Sequence, residues 1–464
     1  MFRTISGPVP AWESLLPPEL LRLPEELARV DALLDDPAFF APFAPYFHPV
    51  LGRPSTPIEC YLRLMFLKFR YRLGYESLCA EVSDSISWRR FCRIGLDGTV
   101  PHPTTLMKLT TRCGNEAVAG LNEALWAKAA GAKLLRTARV RADTTVIPAN
   151  VVYPTDAGLL AKAVGKLVRA ARRVQAAGGA TGTVMTDRRR AAGRRARAMA
   201  ATMRTRAQLG RDEASRAISR ATGDLADLAE TAAAQATAVL RNGRRAVRRA
   251  LGGRVRGRLR RALGELAVTI ERTAVVVAQA RSRLAGQMPD GATRLVSLHD
   301  PDARPIRKGR IDKPVEFGYK AQVLDNDDGI ILDYGVQAGN PPDAPQLAPA
   351  LSRIARRTGR TPHAVTADRG YGEPATEREL QALGVHTVAI PRRARPSADR
   401  RAAEHARGFR ALVKWRTGCE GRISYLKRRY GWDRTRLDGR QGASIWCGHG
   451  VFSHNLVKIS ALAT

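Results

Sequence analysis

Between Tyr153 and Phe317 the chain contains no aromatic residue. Such a stretch cannot build an ordinary compact core, because aromatic side chains supply the largest single buried areas. Alanine and arginine dominate it: residues 161–290 hold 29 Lys and Arg against 9 Asp and Glu. Leu225–Leu251 and Leu259–Leu284 keep helical spacing, and Gly178–Gly182 and Gly252–Gly257 read as breaks. We therefore expect residues 156–290 to form a basic, antiparallel helical insertion rather than a globule. The competing reading is a disordered basic linker.

The flanks are of a different material. Residues 1–137 read as helical, with Pro42, Pro45, Pro49, Pro54 and Pro57 leading into an apolar stripe over Ile58–Leu73. Tyr75–Val82, Ser87–Cys92 (with Ser87 as N-cap) and Thr104–Ala130 follow as helices. These short helices with exposed cations suit a helix-turn-helix-like DNA-binding unit or a plain dimerisation domain equally well.

From Arg139 the pattern becomes α/β. RVRADTTVIPA alternates as a strand with Asp143 in its middle. Strand signals resume at Arg294–Leu298, and Glu316–Leu324 and Ile330–Val336 flank a hairpin turn at Asp325–Gly329. Pro345–Thr358 reads as a helix and His363–Ala367 as a strand stopping at Asp368. Thr376–Leu383 and Val385–Ile390 then read as a helix and a strand. Three domains are expected: 1–137, the α/β part formed by 138–155 with 291–464, and the insertion 156–290.

A net charge of +34 and a pI near 11.1 point to a polyanionic partner, foremost nucleic acid. No apolar run approaches the roughly 20 residues that span a bilayer, and the N-terminal stretch lacks the apolar core of a signal peptide. The six cysteines show neither CxxC pairs nor zinc spacing, so a reduced cytoplasmic protein without structural zinc is expected.

Near the C-terminal end, Leu412, Trp415, Cys419, Ile423, Leu426 and Tyr430 fall on one helical stripe. Arg416, Glu420 and Lys427 project beside it, while Gly418 and Gly421 land on other sides. Taken alone this is a surface ion-pair ladder. Together with Asp143 and Asp368 it is a set of three acids from separate elements, which is what binding two Mg²⁺ ions for phosphoryl transfer requires.

These segments resemble the bacterial insertion-sequence transposases of the DDE, RNase H-like type. RADTTVIPAN carries the first Asp, TADRGYGEP the second with the family's Gly and aromatic residue, and RTGCEGRISYLKRRYG the Glu. Arg416, Glu420 and Lys427 match the spacing of the subgroup with a Tyr, Arg, Glu and Lys signature, but Val413 stands at the Tyr position. Phe39–Arg93 is similar to the helical N-terminal domain of these enzymes. The resemblance implies an RNase H-like mixed sheet, a helical N-terminal domain and a long all-helical insertion. It implies Asp143, Asp368 and Glu420 as catalytic metal ligands for two Mg²⁺ ions, for which Mn²⁺ can substitute. Arg416, Lys427, Arg369, Arg422 and Arg428 become phosphate contacts, with Tyr371 weighted toward packing. The implied partners are duplex DNA, both element ends and target, bound by a homodimer or larger assembly in the cytoplasm. A nuclease without strand transfer and a non-catalytic or decayed DNA-binding protein are the alternatives. Asp300, Glu316 and Asp333 are rival acids; His299, His363 and His386 read as structural. Asn455 and Lys458 are placed on a last helix packed on the core. Arg244, Arg245, Arg248 and Arg249 are assigned as a group to phosphate.

Overall fold

The structure is a computed structural model that describes residues 1–4, 17, 19, 22–205, 207, 210–249, 253–307 and 314–463. Most of the N-terminal stretch read above for a signal peptide, and the side chain of Arg249, lie outside the described residues. Contacts divide the chain into two units, residues 1–150 with 318–464, and residues 151–317.

The first unit begins with helices α1 (Glu25–Leu34), α2 (Ile58–Arg70), α3 (Tyr75–Asp84), α4 (Ile86–Phe91) and α5 (Pro103–Gly131). Helix α2 is buried almost all round, Arg63 included, and Arg63 reaches Asp31 and Asp35 of the α1 segment at 2.7 and 2.6 Å. A buried guanidinium is tolerable only with such partners. The cap of α4 is Ser85, which accepts the amide N–H of Trp88; Ser87, the expected cap, lies inside the helix. Helix α5 is not continuous as expected, because Gly114 takes φ +69°, a left-handed conformation that bends the helix there.

Strand β1 (Arg139–Pro148) follows. It does not alternate in burial: Val140, Arg141, Ala142 and Asp143 are buried in succession. A central strand with partners on both sides and cover on both faces loses the period-two signal.

The second unit is the aromatic-poor stretch, and it is helical: α6 (Asp156–Ala176), α7 (Arg189–Arg204), α8 (Arg211–Arg249) and α9 (Gly253–Leu284). Its core is made of Leu, Val and Ala, with Ala229, Ala232 and Ala236 of α8 fully buried beside Leu160, Leu167 and Leu266. Small side chains allow the close helix approach that compensates for missing aromatics. At Gly243 a Cβ would come within 2.7 Å of Leu263 and 3.1 Å of Val174. Gly253 and Gly257, expected as a break, instead open α9, where first-turn amides lack intrahelical partners in any case; Gly252 is outside the described residues. Arg294–Leu298 forms no strand either. The Ser297 hydroxyl accepts the amide N–H groups of His299 and Asp300 and turns the chain, and the short strand β2 comes later, at Arg304–Arg307.

The chain then returns to the sheet through β3 (Val315–Asp325) and β4 (Ile331–Ala338), the expected hairpin. Asn326 closes its turn by accepting the Ile330 amide, with Gly329 at φ +74°. Helix α10 (Ala344–Thr358), β5 (Ala364–Thr366), α11 (Pro374–Ala382), β6 (Thr387–Ala389), α12 (Ala398–His405), α13 (Arg407–Arg429) and α14 (Gly439–Leu462) complete the unit. The strands run β4-β3-β1-β5-β6, with β3 antiparallel and β5 parallel to β1, an RNase H-like mixed sheet. The β4 edge is closed by Asn455 of α14, whose amide both accepts from and donates to the Ile331 backbone at 3.0 and 2.8 Å.

Candidate active site

Strands β1 and β5 pair in parallel with Arg141 opposite Thr366. Two residues beyond that pair stand Asp143, within β1, and Asp368, just past the end of β5, so the register itself carries the two acids to neighbouring positions at the end of the β1–β5 ladder. Asp143 is 8% exposed. Its Oδ1 accepts the Thr144 amide at 2.7 Å and its Oδ2 accepts from Arg416 at 3.0 Å. Asp368 follows the strand and caps the 3₁₀ turn Arg369–Tyr371, accepting the Gly370 amide at 2.9 Å.

Helix α13 brings the third acid. Cys419, Ile423 and Leu426 bury its stripe, while Leu412 and Trp415 are only half-covered. Contrary to expectation, Gly418 faces the sheet: a Cβ there would run into the Arg141 guanidinium, so glycine is what lets α13 settle on β1. Arg141 in turn pairs with fully buried Asp325 at 2.7 Å, donates to the Trp415 carbonyl and stacks on the Trp415 ring at 4.6 Å. Seated in this way, α13 points Arg416 at Asp143, midway along β1. Its Nη1 reaches Asp143 and its Nη2 reaches Glu420 Oε1 at 2.9 Å. Lys427, lower on the same helix, donates to the Val146 carbonyl of β1 at 2.8 Å.

The electrostatics follow from this crowding. Burial, aided by the charges of Asp368 and Glu420, pushes the Asp143 carboxyl up to about 6, against the Thr144 amide and Arg416. Asp368 is raised by burial and then by Asp343, with the Gly370 amide, Arg416 and Lys320 opposing. Burial works against the charge of Arg416, and Asp143, Glu420 and Asp368 together overcome it.

Asp343 was not anticipated from the sequence. It precedes α10 in GNPPDAPQ, a place where an Asp reads as an ordinary helix cap, yet its side chain makes no cap bond. It pairs with Lys320 at 2.7 Å, and a Cβ on Gly370 would meet both Asp368 Oδ1 and Asp343 Oδ2, at 2.9 and 3.2 Å. The only hint was an acid in a Pro-rich loop after the hairpin.

Of the other expected residues, Arg369 and Arg428 are exposed, and Arg422 is half-buried against Asp325 at 3.3 Å. Tyr371 is fully buried and accepts from Gln322 at 3.1 Å, so it packs. Asp333 is committed to Arg353 and Arg357, and His363 stacks on His386. Asp300 and Glu316 belong to the second unit. Arg244, Arg245 and Arg248 are exposed on α8.

Two family descriptions match the chain. Residues 16–112 match "Transposase domain (DUF772)" and residues 294–456 match "Transposase DDE domain", together more than half of the sequence. The chain belongs to the insertion-sequence DDE transposases. Asp368 and Glu420 lie inside the matched DDE span; Asp143 lies outside both spans and is tied to the site by the strand register. The transposase is also 29% identical over 157 residues to the uncharacterized protein ORF8 in the nfe locus of Rhizobium meliloti, covering 32% of this chain and 74% of that protein. No solved structure matches it. No helix among the described residues is long and apolar enough to cross a membrane.

The acids offer only carboxylate oxygens, the donor set of a hard divalent cation. Asp143 is buried and Asp368 half-buried, and burial pushes both carboxyls up, so the residues fit such an ion. Among the described residues no three carboxylate, imidazole or thiol groups stand close enough together to hold a metal ion as they are. Arg416 lies between Asp143 and Glu420 instead.

Proposed function

We propose that this transposase cuts DNA at the ends of an insertion element and joins the freed 3′ ends to target DNA, with Asp143, Asp368 and Glu420 holding two Mg²⁺ ions, or Mn²⁺ in their place. The observation that carries this reading is the bridging of Asp143 and Glu420 by one guanidinium, at the sheet end where the β1–β5 register sets Asp368. When bound, the metal ions supply an activated water or 3′-hydroxyl and stabilise the leaving oxygen.

The chain's own residues hold and orient the substrate. Arg416 exchanges one carboxylate for a DNA phosphate when the acids turn to their ions, and a guanidinium is suited to bidentate phosphate recognition. Arg369, beside Asp368, and Arg428, on the outer face of α13, contact the neighbouring backbone. Lys427 secures α13 to β1 and adds positive charge near the cleaved strand. Arg422, held by Asp325, keeps α13 in register. Residues 1–137 serve DNA binding and dimerisation, residues 138–155 with 291–464 the chemistry, and the basic insertion 156–290 phosphate contacts through Arg244, Arg245, Arg248 and Arg249. Joining two ends calls for a homodimer or larger assembly on DNA in the cytoplasm.

The experiment is Mg²⁺-dependent cleavage of a duplex bearing the native element ends, with wild type beside Asp143→Ala and Glu420→Gln. Cleavage that requires Mg²⁺ and both acids supports the reading. Unchanged processing by Glu420→Gln sinks the assignment, and tight binding without cleavage by wild type points to a binding protein.

A further inference from the structure

The N-terminal helical region holds an open groove of about 790 Å³, lined by residues 53–57, 93–95, 98–101 and the first turns of α5, with Arg3, Phe47 and Cys60. Five cations line it, Arg3, Arg53, Arg93, Lys108 and Arg112, and among the described residues no carboxylate does. Of these, Arg93 pairs with Asp31 and Asp35. Arg3, Arg53, Lys108 and Arg112 have no carboxylate within ion-pairing distance among the described residues. Their placement is built rather than incidental. Residues 1–3 are laced to the 53–58 segment by backbone hydrogen bonds from Ser55 to Met1 and from Ile58 to Arg3. Arg112 lies over the Phe47 ring at 4.7 Å, and Lys108 stands one turn before it on α5.

We infer that this groove seats the sugar-phosphate ridge of duplex DNA and does so without reading sequence. Its shape decides between the two ways of meeting a duplex. Base edges lie inside the grooves of DNA and are reached by an element that protrudes, such as a recognition helix. A concave surface admits the convex backbone instead, and phosphate contacts set register and affinity without carrying sequence information. Lys108 and Arg112, four residues apart on a helix, are separated by about 6 Å along its axis, a step that suits successive phosphates of one strand. The inference rests on the reading of the protein as a DNA transposase but concerns a surface apart from the carboxylate site.

The test uses the full chain and two duplexes of equal length, one carrying the element end and one scrambled, titrated by fluorescence anisotropy over a salt series. The variant Lys108→Ala with Arg112→Ala should weaken binding to both duplexes equally, on the order of tenfold to a hundredfold at about 0.1 M salt. The slope of log K against log salt should become shallower by about 2, since each phosphate contact contributes about 0.9. Arg53→Ala, on the loop segment of the groove, should act in the same direction, and unchanged thermal melting shows that the fold persists. A control pair outside the groove, Arg378→Ala with Arg401→Ala, should leave the slope unaltered. An unchanged slope in the groove variant, a loss confined to the element-end duplex, or an equal loss in the control pair overturns the inference while leaving the proposed function standing. Failure of wild type to bind either duplex overturns both.

Discussion

Nη1 of Arg416 lies 3.0 Å from Oδ2 of Asp143, joining α13 to the central strand across 273 residues of sequence. The same guanidinium holds Glu420 at 2.9 Å. One cation thus stands where the acids would otherwise repel one another.

Replacing that cation separates its two roles. Arg416→Gln should raise Mn²⁺ affinity of the DNA-free protein by about tenfold, the equivalent of one ion pair of about 1.4 kcal/mol, because the acids no longer have a competing partner. Cleavage of element-end DNA should fall by roughly a hundredfold through loss of the phosphate contact. Calorimetric metal titration without DNA checks the first part; weaker Mn²⁺ binding in the variant would contradict it.

Asp143 should cost the fold stability at neutral pH. Its folded-state value of about 6 lies above its ordinary 3.8, so the folded state holds the proton more tightly. The linked stability is fully present below about pH 4 and is lost as pH rises through 6. Asp143→Asn should therefore be more stable than wild type at pH 7.5, by about 1–3 kcal/mol, and the gap should close toward pH 4. The same variant should lose DNA cleavage by at least about a thousandfold. Urea melts at the two pH values decide the stability part.

The support beneath the site is a buried ion cluster. Asp325 is fully buried between Arg141 at 2.7 Å and Arg422 at 3.3 Å. Asp325→Ala leaves two cations without their carboxylate, which costs about 3–5 kcal/mol. Denaturant unfolding should show that loss, and an effect under about 1 kcal/mol would mean that water replaces the pairing.

Gly329 provides a sharper steric case. It adopts φ +74°, and a Cβ would collide with the Arg422 guanidinium. Gly329→Ala should destabilise by about 1–3 kcal/mol. Combined with Arg422→Ala, the loss should be smaller than the sum of the two single effects, because the collision is removed.

The local grammar was legible. The hairpin around DNDDG was readable because Asn and Gly supply the turn conformation without help from elsewhere. The stripe through Cys419, Ile423 and Leu426 was readable because helical spacing alone chooses the buried face. Asp143 and Asp368 stood out as charges in or at the end of strands. Local reading failed where a neighbour from far along the chain outweighed it. Gly418 was read as idle, yet Arg141 of β1 occupies the space its side chain would need. Ser87 lost the cap to Ser85, and Ser297 turned a stretch that composition marked as strand.

By itself, then, the sequence determined most of the elements, that the aromatic-free stretch is helical, and which acids are candidates, since these follow from side-chain periodicity, turn chemistry and charge along short spans. Only the tertiary structure decided that Arg416 lies between Asp143 and Glu420, that Asp343 sits beside Asp368, and that five cations line one groove to which, among the described residues, no carboxylate contributes. Those relations depend on strand register and helix seating between segments hundreds of residues apart, and no local pattern encodes a distance of that kind.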